Sequence, residues 1–106
     1  MSTSIELVTF KLAEGVMPEQ LIATNDAMQA FLNQQPGFIY RSLSKDEDGQ
    51  WFDIVYWSDE ASAKTGGEAF MRSAACASLM PLIEGPSVKM RHMDALSEIL
   101  VKRDAA

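Results

Sequence analysis

An α+β fold with the element order β-α-β-β-α-β is the class that this sequence predicts, and three observations predict it. Four segments with strand-like apolar patterns alternate with two segments in which apolar residues recur at helical spacing. An acidic turn that ends in Gly49 joins the two central strand segments. The length of 106 residues fits one domain, residues 1–106, with a single two-layer core.

The N-terminal part of the chain begins with a strand and a helix. The strand is predicted over Ser4–Leu12, where apolar side chains occupy both faces. The helix is predicted from Pro18, a residue that suits the first helical position, to Asn33. The sequence QPG at 35–37 ends this helix, because proline disfavours helical geometry at the residue before it.

The central hairpin has the clearest local pattern in the chain. Strands are predicted over Phe38–Lys45 and Trp51–Trp57. The turn between them, DEDG at 46–49, ends in a glycine that can adopt a positive φ. We therefore expect these two strands to pair antiparallel.

The second helix and the last strand follow the hairpin. Ser58 or Asp59 is predicted to cap the helix, since both side chains accept hydrogen bonds from backbone amides. A break or bend is expected at Gly66-Gly67, because a helical glycine costs about 1 kcal/mol relative to alanine. The last strand is predicted over Ser87–Met93, and Asp94 is placed to cap a short final helix.

This order of elements is the ferredoxin-like arrangement. Right-handed crossovers place both helices on one face of a four-stranded antiparallel sheet. The other face carries apolar residues in any register, and a monomer rarely leaves so large an apolar face exposed. The sequence therefore predicts a homodimer that packs sheet to sheet.

Composition excludes several classes of partner. A net charge of −6 opposes binding to nucleic acid and to anionic membrane surfaces. One cysteine and one histidine allow neither an internal disulfide nor a clustered metal site, so no metal is expected. No apolar stretch approaches the length of a membrane span, and the start MSTSIE does not resemble a signal peptide. We expect a cytoplasmic protein.

Four short motifs carry a resemblance to a known family. They are QPGF at 35–38, DG at 48–49, WFDIVYWS at 51–58 and VKMRH at 88–92. With them the chain, over Ile5–Met93, resembles the dimeric α/β-barrel superfamily and its small antibiotic-biosynthesis-monooxygenase-like members. The resemblance implies a cavity between sheet and helices in which a small aromatic or quinone-like substrate is oxidised without a cofactor.

The chain departs from that family at one position that matters for chemistry. Relatives often carry a histidine on the second helix, where this sequence has Gly66, Gly67, Glu68 and Ala69. Family members that degrade haem use this histidine as the iron ligand. Haem degradation is therefore not expected here.

His92 and Asp53 are the candidate catalytic residues. His92 is the only histidine, the side chain that exchanges protons near neutral pH, and it could take a phenolic proton from a substrate. Asp53 lies in an apolar, aromatic strand and needs a partner, either Arg41 or His92. The alternative is structural: a hydrogen-bonded histidine at a strand end and an ion pair.

Four further residues are candidates for substrate binding: Asn25, Tyr40, Arg41 and Trp57. Asn25 lies on the apolar stripe of the first helix, where helical propensity gives no reason for an amide. Arg41 is a charged partner for Asp53, and the two aromatic rings could stack on an aromatic ligand. Each also has a structural interpretation, as a core, interface or ion-pair residue.

Two functions stay open at this point. The first is an oxidoreductase similar to the monooxygenases of the family. The second is a non-catalytic dimeric module that binds a small apolar molecule or has a structural role. An enzyme requires His92 close to a second polar group, with both opening onto one cavity, whereas a filled core favours the second function.

Overall fold

The computed structural model describes residues 2–101. Its strands and longer helices are, in chain order, β1 (Ser4–Phe10), α1 (Pro18–Ile22), α2 (Asn25–Leu32), β2 (Phe38–Lys45), β3 (Trp51–Trp57), α3 (Glu60–Met71), α4 (Ala74–Leu79) and β4 (Lys89–Asp94). Two 3-10 turns, Met80–Leu82 and Gly85–Ser87, connect α4 to β4.

The four strands form one antiparallel sheet in the order β2-β3-β1-β4. The helices lie on one face of this sheet, as the sequence predicts. The core between the two layers is built from apolar residues of α1 to α4 and of the inward positions of β1 and β3. Its buried members are Phe10, Leu21, Met28, Leu32, Trp51, Val55, Trp57, Ala63, Ala75 and Leu79. The predicted α+β, ferredoxin-like fold is confirmed.

The hairpin has the predicted bounds, and its turn is held by one side chain. The Asp46 carboxylate accepts hydrogen bonds from the backbone amides of Asp48 and Gln50, each at 2.9 Å. Gly49 adopts a φ of +83°, which only glycine adopts without strain. Local turn chemistry therefore fixes the pairing of β2 with β3.

The single helix predicted over Pro18–Asn33 is divided into two. The hydroxyl of Thr24 donates a hydrogen bond of 2.6 Å to the backbone carbonyl of Leu21. A threonine hydroxyl that competes for a backbone carbonyl favours a turn over a continuous helix. The apolar stripe continues across the interruption, which is why periodicity alone predicts one helix.

The break expected at Gly66-Gly67 is absent, and α3 runs through both glycines. Trp57 of β3 packs directly against Gly66, where a Cβ atom would overlap the indole ring. This close packing against the sheet outweighs the low helical propensity of glycine. Asp59 caps the helix as predicted, since its carboxylate accepts a 2.7 Å hydrogen bond from the Ser62 amide.

The remaining boundaries differ from the predictions at three places. β1 ends at Phe10, and Leu12 forms only an isolated bridge with Ile83. β4 begins at Lys89 because the 3-10 turn over Gly85–Ser87 occupies the predicted strand start. The short helix predicted after Asp94 does not form over 95–101, and residues 102–106 lie outside the described part of the chain. Such a short helix is marginal in water without a surface to pack on.

Candidate functional site

A cavity of about 860 Å³ lies between α3 and the half of the sheet formed by β1 and β4. Most of its lining is apolar and includes five of the seven methionines, which makes the surface adaptable in shape. The polar groups of the lining come from three strands and from α3: Ser4 and Glu6, Asp53, His92 and Asp94, and Glu60, Lys64 and Glu68. An apolar cavity with a few convergent polar groups is the usual form of a small-molecule site.

Glu6 and His92 are directly opposite each other on β1 and β4. The Nε2 atom of His92 lies 3.5 Å from Oε2 of Glu6. The His92 side chain is 57% exposed, whereas that of Glu6 is only 17% exposed. The pair thus places a solvent-accessible imidazole beside a carboxylate that is mostly shielded from water.

The electrostatic environment favours a proton on Glu6. Desolvation by burial raises the pKa of the Glu6 carboxyl above its ordinary value of 4.5. The nearby His92 opposes this shift, and the negative charge of Asp53 adds to it. Glu6 therefore holds its proton to higher pH than an exposed glutamate does.

Asp53 forms a bidentate ion pair with Arg41. The guanidinium donates from Nε to Oδ1 at 2.9 Å and from one terminal nitrogen to Oδ2 at 2.8 Å. The other terminal nitrogen donates to the Asn25 side-chain oxygen at 3.1 Å. Pairing of Asp53 with Arg41 is confirmed, and His92 pairs with Glu6 rather than with Asp53. Asn25 is the first residue of α2, and this position brings its side chain within hydrogen-bond distance of Arg41.

The predicted site residues line two spaces rather than one. His92, Asp53 and Trp57 line the 860 Å³ cavity. Asn25, Tyr40 and Arg41 line a smaller space of about 400 Å³ between α2 and β2. The ion pair of Arg41 with Asp53 lies between the two spaces, because Asp53 lines the larger one and Arg41 lines the smaller one.

Trp57 has a buried donor without an acceptor. Its side chain is 2% exposed, and Nε1 makes no hydrogen bond within the described residues. A buried N–H without a partner costs about 1–3 kcal/mol. A ligand oxygen that reached this atom would remove that cost.

Sequence reasoning missed Glu6, although a signal was present. Glu6 is the only charged residue of β1 and lies on the same side of the strand as Val8 and Phe10. The same argument that singles out Asp53 applies to it. Its partner could not be read from the sequence, because the pairing with His92 depends on β4 lying beside β1.

Other site types have no support among residues 2–101. That part of the chain contains no cluster of three or more His, Cys, Asp and Glu residues suited to a metal ion. Its helices are too short or too polar to cross a membrane. Cys76 is buried in α4 and does not line either space.

Solved structures with the same fold include oxygenases and proteins of unknown function. No protein-family model and no curated protein matches the chain significantly. SnoaB, a cofactor-independent oxygenase from Streptomyces nogalater, is 16% identical with a TM-score of 0.73, over 93% of this chain and 98% of that one. A monooxygenase from Streptomyces coelicolor, ActVA-Orf6, solved with nanaomycin D, is 19% identical with a TM-score of 0.68, over 95% and 94%.

The solved structures with this fold also include a protein whose function is unknown. NE2512 from Nitrosomonas europaea, a protein of unknown function, is 18% identical with a TM-score of 0.63, over 97% of this chain and 98% of that one. At these sequence identities the comparisons establish the fold of the chain, and its chemistry has to be argued from the residues of the site. The chain has the ferredoxin-like α+β fold of the antibiotic-biosynthesis-monooxygenase-like proteins.

Proposed function

We propose that the protein is a monooxygenase-like oxidoreductase that acts on a small aromatic or quinol substrate in the 860 Å³ cavity. The observation that carries this proposal is the position of the Glu6–His92 pair on the wall of a mostly apolar cavity. An enzyme needs a histidine close to a second polar group that opens onto the same cavity, and the contact of His92 with Glu6 supports the proposal on this point. Oxygenases with the same fold support the reaction class.

His92 acts as the general base in this proposal. It takes a proton from a phenolic O–H or from an acidic C–H beside an aromatic ketone, leaving an electron-rich anion. Glu6 orients the imidazole through the contact at Nε2. Asp53, paired with Arg41, contributes structure to the cavity wall rather than proton transfer.

Molecular oxygen is the oxidant, and an anthrone shows how atoms and electrons balance. After His92 removes a methylene proton, the carbanion passes one electron to oxygen, and the two radicals join to form a peroxide. His92 returns its proton to the peroxide. The O–O bond of this hydroperoxide then breaks and releases hydroxide. The carbon loses its second proton in the same step, and this proton combines with the hydroxide to form water. The methylene becomes a carbonyl, and oxygen gains four electrons.

Trp57 supplies the hydrogen-bond donor for the substrate. Its indole N–H is buried and has no acceptor among the described residues, so a carbonyl or phenolate oxygen gains a bond there once the side chains that cover this nitrogen move aside. Developing negative charge on that oxygen strengthens such a bond.

A homodimer is part of the proposal. The sheet face away from the helices carries apolar residues at its centre, including Leu7 of β1 with Phe52 and Ile54 of β3. A second copy packed on this face would bury them, in agreement with the sequence prediction. Light scattering at micromolar concentration should report twice the chain mass, and a stable monomer would contradict this part of the proposal.

The test of the reaction is oxygen uptake with a panel of anthrones and hydroquinones. The wild-type protein should consume oxygen and release quinone in equal amounts. We expect His92→Ala to lower kcat by about a hundredfold or more, the usual contribution of a general base. Glu47→Gln, in the exposed β2–β3 turn, is the matched control and should retain activity.

Two results would contradict the proposal. Binding of these compounds without oxygen uptake would favour the ligand-binding module. Oxygen uptake that His92→Ala leaves unchanged would remove the histidine from the mechanism.

A further inference from the structure

Methionines are concentrated on the wall of the large cavity. Five of the seven in the sequence line it, and three of these are well exposed, Met71 at 69%, Met90 at 55% and Met80 at 48%. Met28, in contrast, is only 5% exposed and belongs to the core. A thioether is an apolar group that peroxides oxidise, so the accessible methionines of this wall can react as well as contact a ligand.

Met90 and His92 occupy successive positions on the cavity side of β4. Met90 lies two residues before His92, and both side chains line the cavity. Met90 is opposite Val8 of β1, and His92 is opposite Glu6. Two residues along a strand span about 7 Å. A peroxide formed on a substrate beside His92 is therefore within reach of the Met90 thioether.

The cavity selects which peroxide reaches Met90. Val8, Phe10 and Phe70 line the same space, so an organic hydroperoxide with an aromatic group is concentrated there by the burial of its apolar surface. Hydrogen peroxide has no such surface and reacts with any exposed methionine. Met17 provides the comparison, because it is 58% exposed, nearly the same as Met90, and lines neither of the two spaces.

We propose that Met90 is a site of oxidation, at which an organic hydroperoxide bound in the large cavity converts the thioether to a sulfoxide. The sulfur attacks the outer oxygen of the hydroperoxide, so an S–O bond forms and the O–O bond breaks. The sulfur loses two electrons, and the hydroperoxide gains them. The proton of the hydroperoxide passes to the departing alkoxide, which leaves as an alcohol.

Oxidation of Met90 changes what the cavity can bind. A sulfoxide is polar, whereas the thioether is apolar, so the wall beside His92 becomes less favourable for an aromatic ligand. The modification thus lowers the affinity of the cavity for its ligand when peroxide is present. The proposal rests on the peroxide step of the proposed function for its natural oxidant, while the selectivity for Met90 depends only on the cavity.

Cumene hydroperoxide, an aromatic hydroperoxide, tests this selectivity without any turnover. We expect it to oxidise Met90 at least about tenfold faster than Met17, because binding in the cavity raises its effective concentration there. Mass spectrometry of peptides over a time course measures both rates. Hydrogen peroxide should oxidise the two residues at rates within about threefold of each other, since their exposed fractions are nearly equal.

Competition shows where the oxidant binds. Excess alizarin, an aromatic quinone that resists this oxidation, occupies the cavity in place of cumene hydroperoxide. It should slow the oxidation of Met90 and leave that of Met17 unchanged. An oxidation rate of Met90 that alizarin does not slow would show that the oxidant arrives from solvent and would overturn the proposal.

A pair of glutamine variants tests the consequence for binding. Glutamine is similar to methionine sulfoxide in length and polarity, so Met90→Gln should raise the dissociation constant of alizarin about tenfold. Met17→Gln should leave this constant unchanged, because Met17 lies outside the cavity. Quenching of tryptophan fluorescence measures both, and equal affinities of the two variants would refute the effect of oxidation on binding.

The outcomes separate this proposal from the proposed reaction. Equal rates for Met90 and Met17 with cumene hydroperoxide would overturn the oxidation site, even if the protein oxidises anthrones. Selective oxidation of Met90 in a protein that takes up no oxygen with anthrones would support the site and contradict only the reaction.

Discussion

Replacing Asp53 with asparagine removes one charge and leaves the shape of the side chain nearly unchanged. In the wild-type protein Arg41 makes two charge-assisted hydrogen bonds to this carboxylate, at 2.8 and 2.9 Å. The two side chains are only 11% and 10% exposed. Asp53→Asn therefore leaves a guanidinium that is mostly buried and has lost its counter-ion.

The expected loss of stability follows from this geometry. Breaking a buried ion pair by removing one partner costs about 3–5 kcal/mol. The amide oxygen of asparagine still accepts one hydrogen bond, and Asn25 still accepts another from Arg41. We therefore expect the lower end, about 3 kcal/mol, which lowers the melting temperature of a domain of this size by about 12 °C or more.

Chemical denaturation at pH 7 measures the effect, with protein concentration held fixed because the stability of the proposed dimer would depend on concentration. Asp48→Asn is the matched control: Asp48 lies in the exposed β2–β3 turn, and its stability should change by less than about 0.5 kcal/mol. Ligand binding in the large cavity should survive Asp53→Asn. Equal stability of the two variants would refute the structural role assigned to this ion pair.

Three further substitutions test other parts of the structure. Burial raises the pKa of Glu6 in the folded protein above 4.5, so the stability of the wild-type protein falls as pH rises from 4.5 through this raised pKa. Glu6→Gln should therefore be more stable than the wild type at pH 7. The difference in melting temperature should shrink below pH 4.5 in pH-dependent melts. Gly66→Ala places a Cβ within 2.8 Å of three ring carbons of Trp57 and should cost about 1–3 kcal/mol, whereas the Cβ of Gly67→Ala meets no other atom and should stabilise α3; equal melting temperatures would contradict this. The hydrogen bond from the Ser62 amide lowers the pKa of Asp59, so the destabilisation caused by Asp59→Ala should be present at neutral pH and fade as pH falls below 3.8.

Local rules were sufficient for the central hairpin and failed where tertiary contacts compete with them. The bounds of β2 and β3 follow from a turn whose own side chain and glycine fix its geometry. The helix break at Thr24 depends on one hydroxyl bond that apolar periodicity cannot reveal. The continuous helix through Gly66 depends on a tryptophan nine residues earlier in the chain.

The candidate site shows the same division. The sequence predicted that Asp53 needs a partner and offered Arg41 or His92, because a carboxylate in an apolar strand needs a cation; the structure shows that the partner is Arg41, on the neighbouring hairpin strand. The pairing of Glu6 with His92 joins residues far apart in the chain. It required the strand order and the register of β4 on β1.

The contact at Gly66 has a consequence for the volume available to a ligand. Gly66 and Trp57 both line the cavity, and the missing side chain allows α3 to approach β3 until backbone meets ring. The helix α3 thus contacts β3 closely at Gly66, and the cavity extends from this contact toward the edge strand β4. A methyl group at residue 66 would move α3 away from the sheet and enlarge the cavity without altering Glu6 or His92. The size of ligand that the cavity accepts can therefore change independently of the proposed chemistry.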